Sequence, residues 1–257
     1  MSDLKNKILK KLEYYDNPDF TFNEKYHKYK LKGEEFISVT TFLSRFHKPF
    51  DFNYWVKIKA EEDGVTIEEK KAEWKELNDR ANYIGSETHN WIENYYNGIY
   101  QKLPTDIDVI KRINKFNMIF GEKLKKLTPV KFEQKLFSEK LKIAGMIDSL
   151  FLYKGKVIMV DWKSNKKFNS VKGFDYLLHP FDTLYQNHLN EYSIQLSLYS
   201  LILEEIGIDV KAMYLCYIGP DDIDDDGNEV FKPAKIYHAL DLRNELKMYF
   251  NNDIFAI

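Results

Sequence analysis

The chain has 257 residues, enough for one large core or one core with a helical annex, since single cores stop growing near ~250–300 residues. Hydrophobic residues at 44% exclude a chain disordered throughout, and 38 basic against 40 acidic residues exclude a polycation, so any nucleic-acid surface must be local. A single cysteine, Cys216, excludes a disulfide framework, a four-cysteine zinc site and a four-cysteine iron–sulfur cluster.

Residues 4–15 carry apolar side chains at 4, 8, 9 and 12, a helical stripe. Residues 20–36 alternate and include Gly33, which predicts a short β-hairpin. Helices are expected over 38–46, 52–62 and 67–96, with breaks near Pro49, Gly64 and Gly85, and again over 106–127. The period then changes from 3.6 to 2. Residues 130–137, 142–153 and 156–163 read as three consecutive strands, the last two joined by a tight turn at Lys154-Gly155. A polar loop over 164–190 leads into a helix over 191–206 and a buried strand over 210–218, with Cys216 in its core. An acidic turn, a return strand over 230–238 and a closing helix over 240–252 complete the chain.

This order predicts an α/β fold with a mixed central sheet flanked by helices, in one domain: residues 1–127 mostly helical, residues 128–257 an α/β core. No apolar stretch is long enough to span a bilayer, and the charged opening Met1-Ser-Asp-Leu-Lys lacks an apolar signal core. The expectation is a cytoplasmic protein without a membrane partner.

Charge is unevenly placed. Residues 121–173 hold 13 Lys against 5 acids, whereas residues 204–229 hold 9 acids and one Lys. Only four arginines occur, and lysine, a flexible point charge, suits phosphate contact better than base readout. The acidic run containing Asp222, Asp224, Asp226 and Gly227 imitates a calcium loop, but Pro233 stands where a bidentate Glu is required, so it reads as a solvated hairpin turn.

The chemistry-bearing residues lie in the three-strand region. Asp161 and Lys163 in Asp161-Trp-Lys163 are two apart on a strand and leave the same face, at the end of the buried run Val157-Ile-Met-Val160. Asp148, in Gly145-x-x-Asp148, sits on the preceding antiparallel strand, where it can lie beside Asp161. Two carboxylates in one place repel unless a cation sits between them, and hard oxygen ligands suit Mg²⁺ or Mn²⁺. Lys163 beside such an ion could orient a water or stabilise charge on a phosphoryl oxygen.

With these motifs the sequence resembles the PD-(D/E)XK (restriction-endonuclease-like) nuclease superfamily, in particular its RecB-like and phage exonuclease branch. The resemblance spans roughly residues 39–218. It implies that Asp148 and Asp161 hold one or two metal ions and that Lys163 completes catalysis. Three outer features match in order. Gly85-x-x-x-His89-x-x-x-Glu93 implies His89 as a metal ligand and Glu93 as an outer ligand or a partner orienting the imidazole. Glu133 stands one strand before Gly145-x-x-Asp148, near the metal site. Gln195-Leu-Ser-Leu-Tyr199 implies that Gln195 and Tyr199 line the cleft. The backbone carbonyl of Trp162 joins the expected ligand set. Lys166, Lys167 and Lys172 make the 164–190 loop basic, a candidate DNA-guiding element.

The expectation is therefore a Mg²⁺- or Mn²⁺-dependent deoxyribonuclease without an iron–sulfur cluster. It would act as an exonuclease on single- or double-stranded DNA ends in recombination, replication or repair, with a recombination or replication protein as a candidate partner. The lysine-rich composition fits a phage protein. The alternatives are a catalytically silent DNA-binding relative and a CRISPR-adaptation-type end-trimming nuclease. Tyr95, Tyr96, Phe168 and Tyr176 are candidates for stacking on unpaired bases.

Overall fold

In the computed structural model the described residues are 2–23, 26, 28–166, 168 and 175–251. The helix α1 (Ser2–Leu12) ends in a 3-10 turn, and buries Ile8 and Leu12 of its apolar stripe. Residues 20–38 then form three strands rather than a two-stranded hairpin: β1 (Phe20–Asn23), β2 (Lys28–Leu31) and β3 (Glu34–Ser38). The turn at Gly33 joins β2 to β3, and β3 goes on to pair in parallel with a strand a hundred residues later. Local alternation reveals the hairpin but not this distant partner.

The helices α2 (Val39–Leu43) and α3 (Phe52–Asp63) follow, the latter closed by Gly64 in the left-handed conformation. The helix α4 (Ile67–Tyr96) starts at a capping box between Thr66 and Glu69 and continues through Gly85 without the expected break. A helical glycine costs only about 1 kcal/mol, which the burial of Ile84, Thr88 and Ile92 on one face offsets. The helix α5 (Ile107–Glu122) is capped by Asp106, whose carboxylate also accepts from Arg80 on α4.

The expected strands appear as β4 (Thr128–Ser138), β5 (Ile143–Tyr153) and β6 (Lys156–Lys163), with Lys154 and Gly155 both at positive φ in the turn. They are followed by α6 (His188–Glu205) and β7 (Val210–Tyr217). The acidic segment is the hairpin expected, β8 (Asp222–Ile223) with β9 (Glu229–Val230), closed by Asp224 accepting from the amides of Asp226 and Asn228. The return strand is shorter than its alternation suggested. Only β10 (Lys235–His238) pairs with β7, because Pro233 has no N–H to offer a ladder. The chain then enters α7 (Arg243–Asn251).

The mixed central sheet runs β1-β2-β3-β5-β6-β7-β10, with β4 on β5. Helices cover both faces. One core, built on Val157, Met159 and Leu215, packs beneath α1, α2, α6 and α7; the other, built on Ile158, Val160, Trp162 and Cys216, packs beneath α4 and α5. Because β6 is buried on both faces it reads as a continuous apolar run. The helix α6 is sheathed by the sheet and α7, and is buried all round from Ser193 to Leu203. Two of its buried serines find partners in the segment before α7: Ser193 and Ser197 accept from the amides of Leu240 and Leu242.

One irregularity positions the site. Along one edge β5 pairs with β4 from Ile143 to Leu152, with a gap in the ladder at Asp148. Its other edge is shared: β3 takes Ile143 and Ala144, and β6 takes Ser149 onward. Between them, residues 145–148 face the parting of two strands.

Candidate active site

A cleft of about 890 Å³ opens at that parting, bounded among others by His89 of α4, Glu133 of β4, Gly145 of β5, Lys163 of β6 and Gln195 and Tyr199 of α6. With Ser149 opposite Val160, the next position of the ladder sets Asp148 against Asp161. The Asp148 carboxylate takes over the strand's bonding there, accepting from the Trp162 amide at 2.8 Å.

His89 approaches from α4. Its Nε2 lies 2.9 Å from the Trp162 carbonyl oxygen, and since a carbonyl can only accept, Nε2 carries the proton. Its Nδ1 is thereby turned to the carboxylates, 3.5 Å from Asp148 Oδ2 and 3.9 Å from Glu133 Oε1. The Trp162 carbonyl thus orients His89, in addition to standing at the site.

Glu133 lies opposite Asp148, because its neighbours Phe132 and Gln134 pair with Ser149 and Ile147. It does so at a φ of 45°, a left-handed conformation that costs a non-glycine residue energy and is found disproportionately at functional sites. Burial, and then the charges of Asp148, Glu93 and Asp161, push its carboxyl up to about 9. Asp161, 2% exposed, is raised to about 6 by burial and by Asp148, against the pull of Lys163. Lys163 Nζ stands 2.7 Å from Asp161 Oδ2. Burial pulls its pKa down, but the carboxylates of Asp161 and Asp148 outweigh this and hold it above the ordinary lysine value.

Three carboxyl groups thus share a partly desolvated space with one ammonium already committed to Asp161. Burial first, and the neighbouring carboxylates after it, raise Glu133. His89, Glu133 and Asp148 could together hold a metal ion, their donor atoms lying within 4.8 Å of one another. Carboxylate oxygens with one imidazole nitrogen are a donor set that suits a hard divalent cation such as Mg²⁺ or Mn²⁺.

Of the residues singled out from sequence, His89, Glu133, Asp148, Asp161, Trp162, Lys163, Gln195 and Tyr199 come together around the cleft. Gln195 Nε2 donates to the Tyr199 hydroxyl at 3.3 Å, and the Tyr199 ring lies so close over Gly145 that a Cβ there would meet it at 2.6 Å. Glu93, one turn beyond His89, stands outside the group of three and acts on Glu133 through its charge. Lys166 is exposed, while Lys167 and Lys172 fall outside the described residues. Two stacking candidates are corrected: Phe168 is buried against Tyr217 and Tyr237, and Tyr96 packs against Phe132 and Phe151. Both served the core, as aromatics in apolar surroundings usually do.

Sequence reasoning missed Tyr192. Its ring centroid lies 4.2 Å from Lys163 Nζ. The signal was its place three residues before Gln195, on the stripe that Tyr199 continues.

No family model matches the chain, and no curated protein does. Among solved structures it is similar to a protein of Eubacterium rectale provisionally named an exonuclease, at 14% identity and a TM-score of 0.40, over 67% of this chain and 64% of that one. It is also similar to SSO0001, at 16% identity and a TM-score of 0.32, over 97% of this chain and 84% of that one. The chain thus spans somewhat less than two thirds of the first structure's length. No helix among the described residues is long and apolar enough to cross a membrane.

Proposed function

We propose that this protein is a divalent-metal-dependent nuclease that hydrolyses phosphodiester bonds in DNA, acting as an exonuclease in recombination, replication or repair. The observation that carries the reading is the convergence of His89, Glu133 and Asp148 beside the Asp161–Lys163 pair, at a cleft lined by His89, Glu133 and Lys163. In this reading His89 Nδ1, Glu133 and Asp148 hold the ion, with Asp161 and the Trp162 carbonyl adjoining. When bound, a divalent ion would lower the pKa of a water and neutralise charge on the scissile phosphate.

The remaining work falls to the chain's own groups. Trp162 fixes the tautomer of His89, leaving Nδ1 free to ligate. Asp161 keeps the Lys163 ammonium charged and in place, so that its other N–H groups can meet a phosphoryl oxygen or the attacking water. The Gln195 amide and Tyr199 hydroxyl, bonded to each other and buried in the cleft wall, brace that wall behind the substrate.

The test is cleavage of end-labelled single- and double-stranded DNA with Mg²⁺, Mn²⁺ or EDTA, comparing wild type with Lys163→Ala. Metal-dependent products that fall by about a hundredfold or more in the variant are expected, as for loss of a transition-state donor. Products that persist equally in Lys163→Ala, or DNA binding without cleavage on any substrate, would overturn the reading; the second outcome would identify a silent DNA-binding protein.

A further inference from the structure

Resting on that reading, the surroundings of Lys163 carry a residue assignment of their own. An ammonium on a flexible four-carbon stem serves catalysis only if it is held still, yet every N–H spent on holding it is withdrawn from the substrate. Asp161 Oδ2 takes one direction, at 2.7 Å. The ring of Tyr192, from the second turn of α6, takes another, at 4.2 Å from Nζ to the centroid. We propose that Tyr192 is a positioning residue, whose ring holds the Lys163 ammonium in register with the metal-binding carboxylates.

The choice of an aromatic ring follows from the charge already present. Another carboxylate would join Glu133, Asp148 and Asp161 in a cluster that already lacks positive charge, and would compete with phosphate for the lysine's N–H groups. An aliphatic side chain would leave the ammonium tethered on one side only. A ring offers a negative face without formal charge, and the attraction is strongest where water is thin, as it is around a lysine side chain only 16% exposed. The ring is itself restrained: it stacks on His188, centroids 5.6 Å apart with planes 17° apart, and meets the buried ring of Phe168 at 6.0 Å. Its position is therefore set by α6 and by the aromatic packing next to it, independently of Lys163.

The experiment is a double-mutant cycle in single-turnover cleavage of end-labelled DNA, with DNA affinity measured alongside. Tyr192→Leu should lower the cleavage rate by about tenfold while leaving DNA affinity and melting temperature near wild type. Tyr192→Phe, which keeps the ring and loses only the hydroxyl, should restore the rate to within about threefold of wild type. In a Lys163→Ala background Tyr192→Leu should have no further effect.

An equal loss in the Lys163→Ala background would overturn the proposal, as would Tyr192→Phe failing as badly as Tyr192→Leu, or Tyr192→Leu retaining full rate. A readout independent of activity separates this from the nuclease reading. The ε-methylene protons of Lys163 should show an upfield ring-current shift in wild type and Tyr192→Phe that disappears in Tyr192→Leu. If wild type cuts nothing, the nuclease reading falls, and that shift still decides whether the ring holds the ammonium.

Discussion

An ordinary glutamate is ionised at neutral pH, whereas Glu133 keeps its proton to about 9. The unfolded chain releases that proton near 4.5, the folded chain only near 9, so between these values the unfolded state binds fewer protons and stability falls as pH rises. The slope from this one group is at most about 1.4 kcal/mol per pH unit, or roughly 2–4 °C for a chain of this size. Calorimetry in EDTA from pH 5 to pH 8 should show a declining melting temperature, and Glu133→Gln should flatten much of the decline. A variant with an unchanged slope would mean that the carboxyl is not held neutral. At this scale the sequence was informative about Asp148, Asp161 and Lys163, because strand alternation alone puts the latter two on one face and a tight turn puts the first beside them. It was weaker on Glu133, whose contribution depends on a positive φ that no local pattern announces. It was silent on Tyr192, whose partner lies across the fold.

Between strand and helix, Gly145 of β5 lies against the Tyr199 ring of α6. The Tyr199 ring occupies the space a Cβ would need, with Cε1 at 2.6 Å and the hydroxyl oxygen at 2.9 Å from it. Tyr199 is 3% exposed and cannot swing aside freely. Gly145→Ala should therefore destabilise by about 1–3 kcal/mol through overpacking. In a Tyr199→Leu background the same substitution should cost under about 1 kcal/mol, a coupling measurable by urea denaturation of the four variants. Additive costs would place the strain elsewhere. The sequence marks this glycine only as the start of Gly145-x-x-Asp148, and nothing local names the ring that approaches it. Gly85 misled in the opposite direction: a glycine suggested a break in a helix that tertiary packing keeps continuous, where a Cβ would meet Ser164 Oγ at 3.5 Å. Element identity followed from periodicity, whereas the parallel pairing of β3 with β5 could not, since nothing in residues 34–38 specifies a partner near residue 143.

Across the whole molecule, the buried central strands were legible as apolar runs and the acidic run as a turn, whereas the separate cores on the two faces of the sheet were not. Nor was the way the sheet forks, and the fork has a bearing on the order in which the molecule assembles. The β5–β6 ladder closes through a two-residue turn and needs almost no chain entropy, whereas joining Ile37 to Ile143 closes a loop that includes α2 to α5 and β4. The cleft wall that β3 supplies is therefore a late acquisition, fitted onto a meander already in place. In stopped-flow refolding, Met159→Ala in β6 should chiefly slow folding, and Phe36→Leu in β3 should chiefly speed unfolding. The reverse pattern would mean that the long loop closes first. On the expected order, a newly made chain pairs the strands that carry Glu133, Asp148 and Lys163 before it has a cleft, and acquires the shape that admits a substrate only as β3 docks.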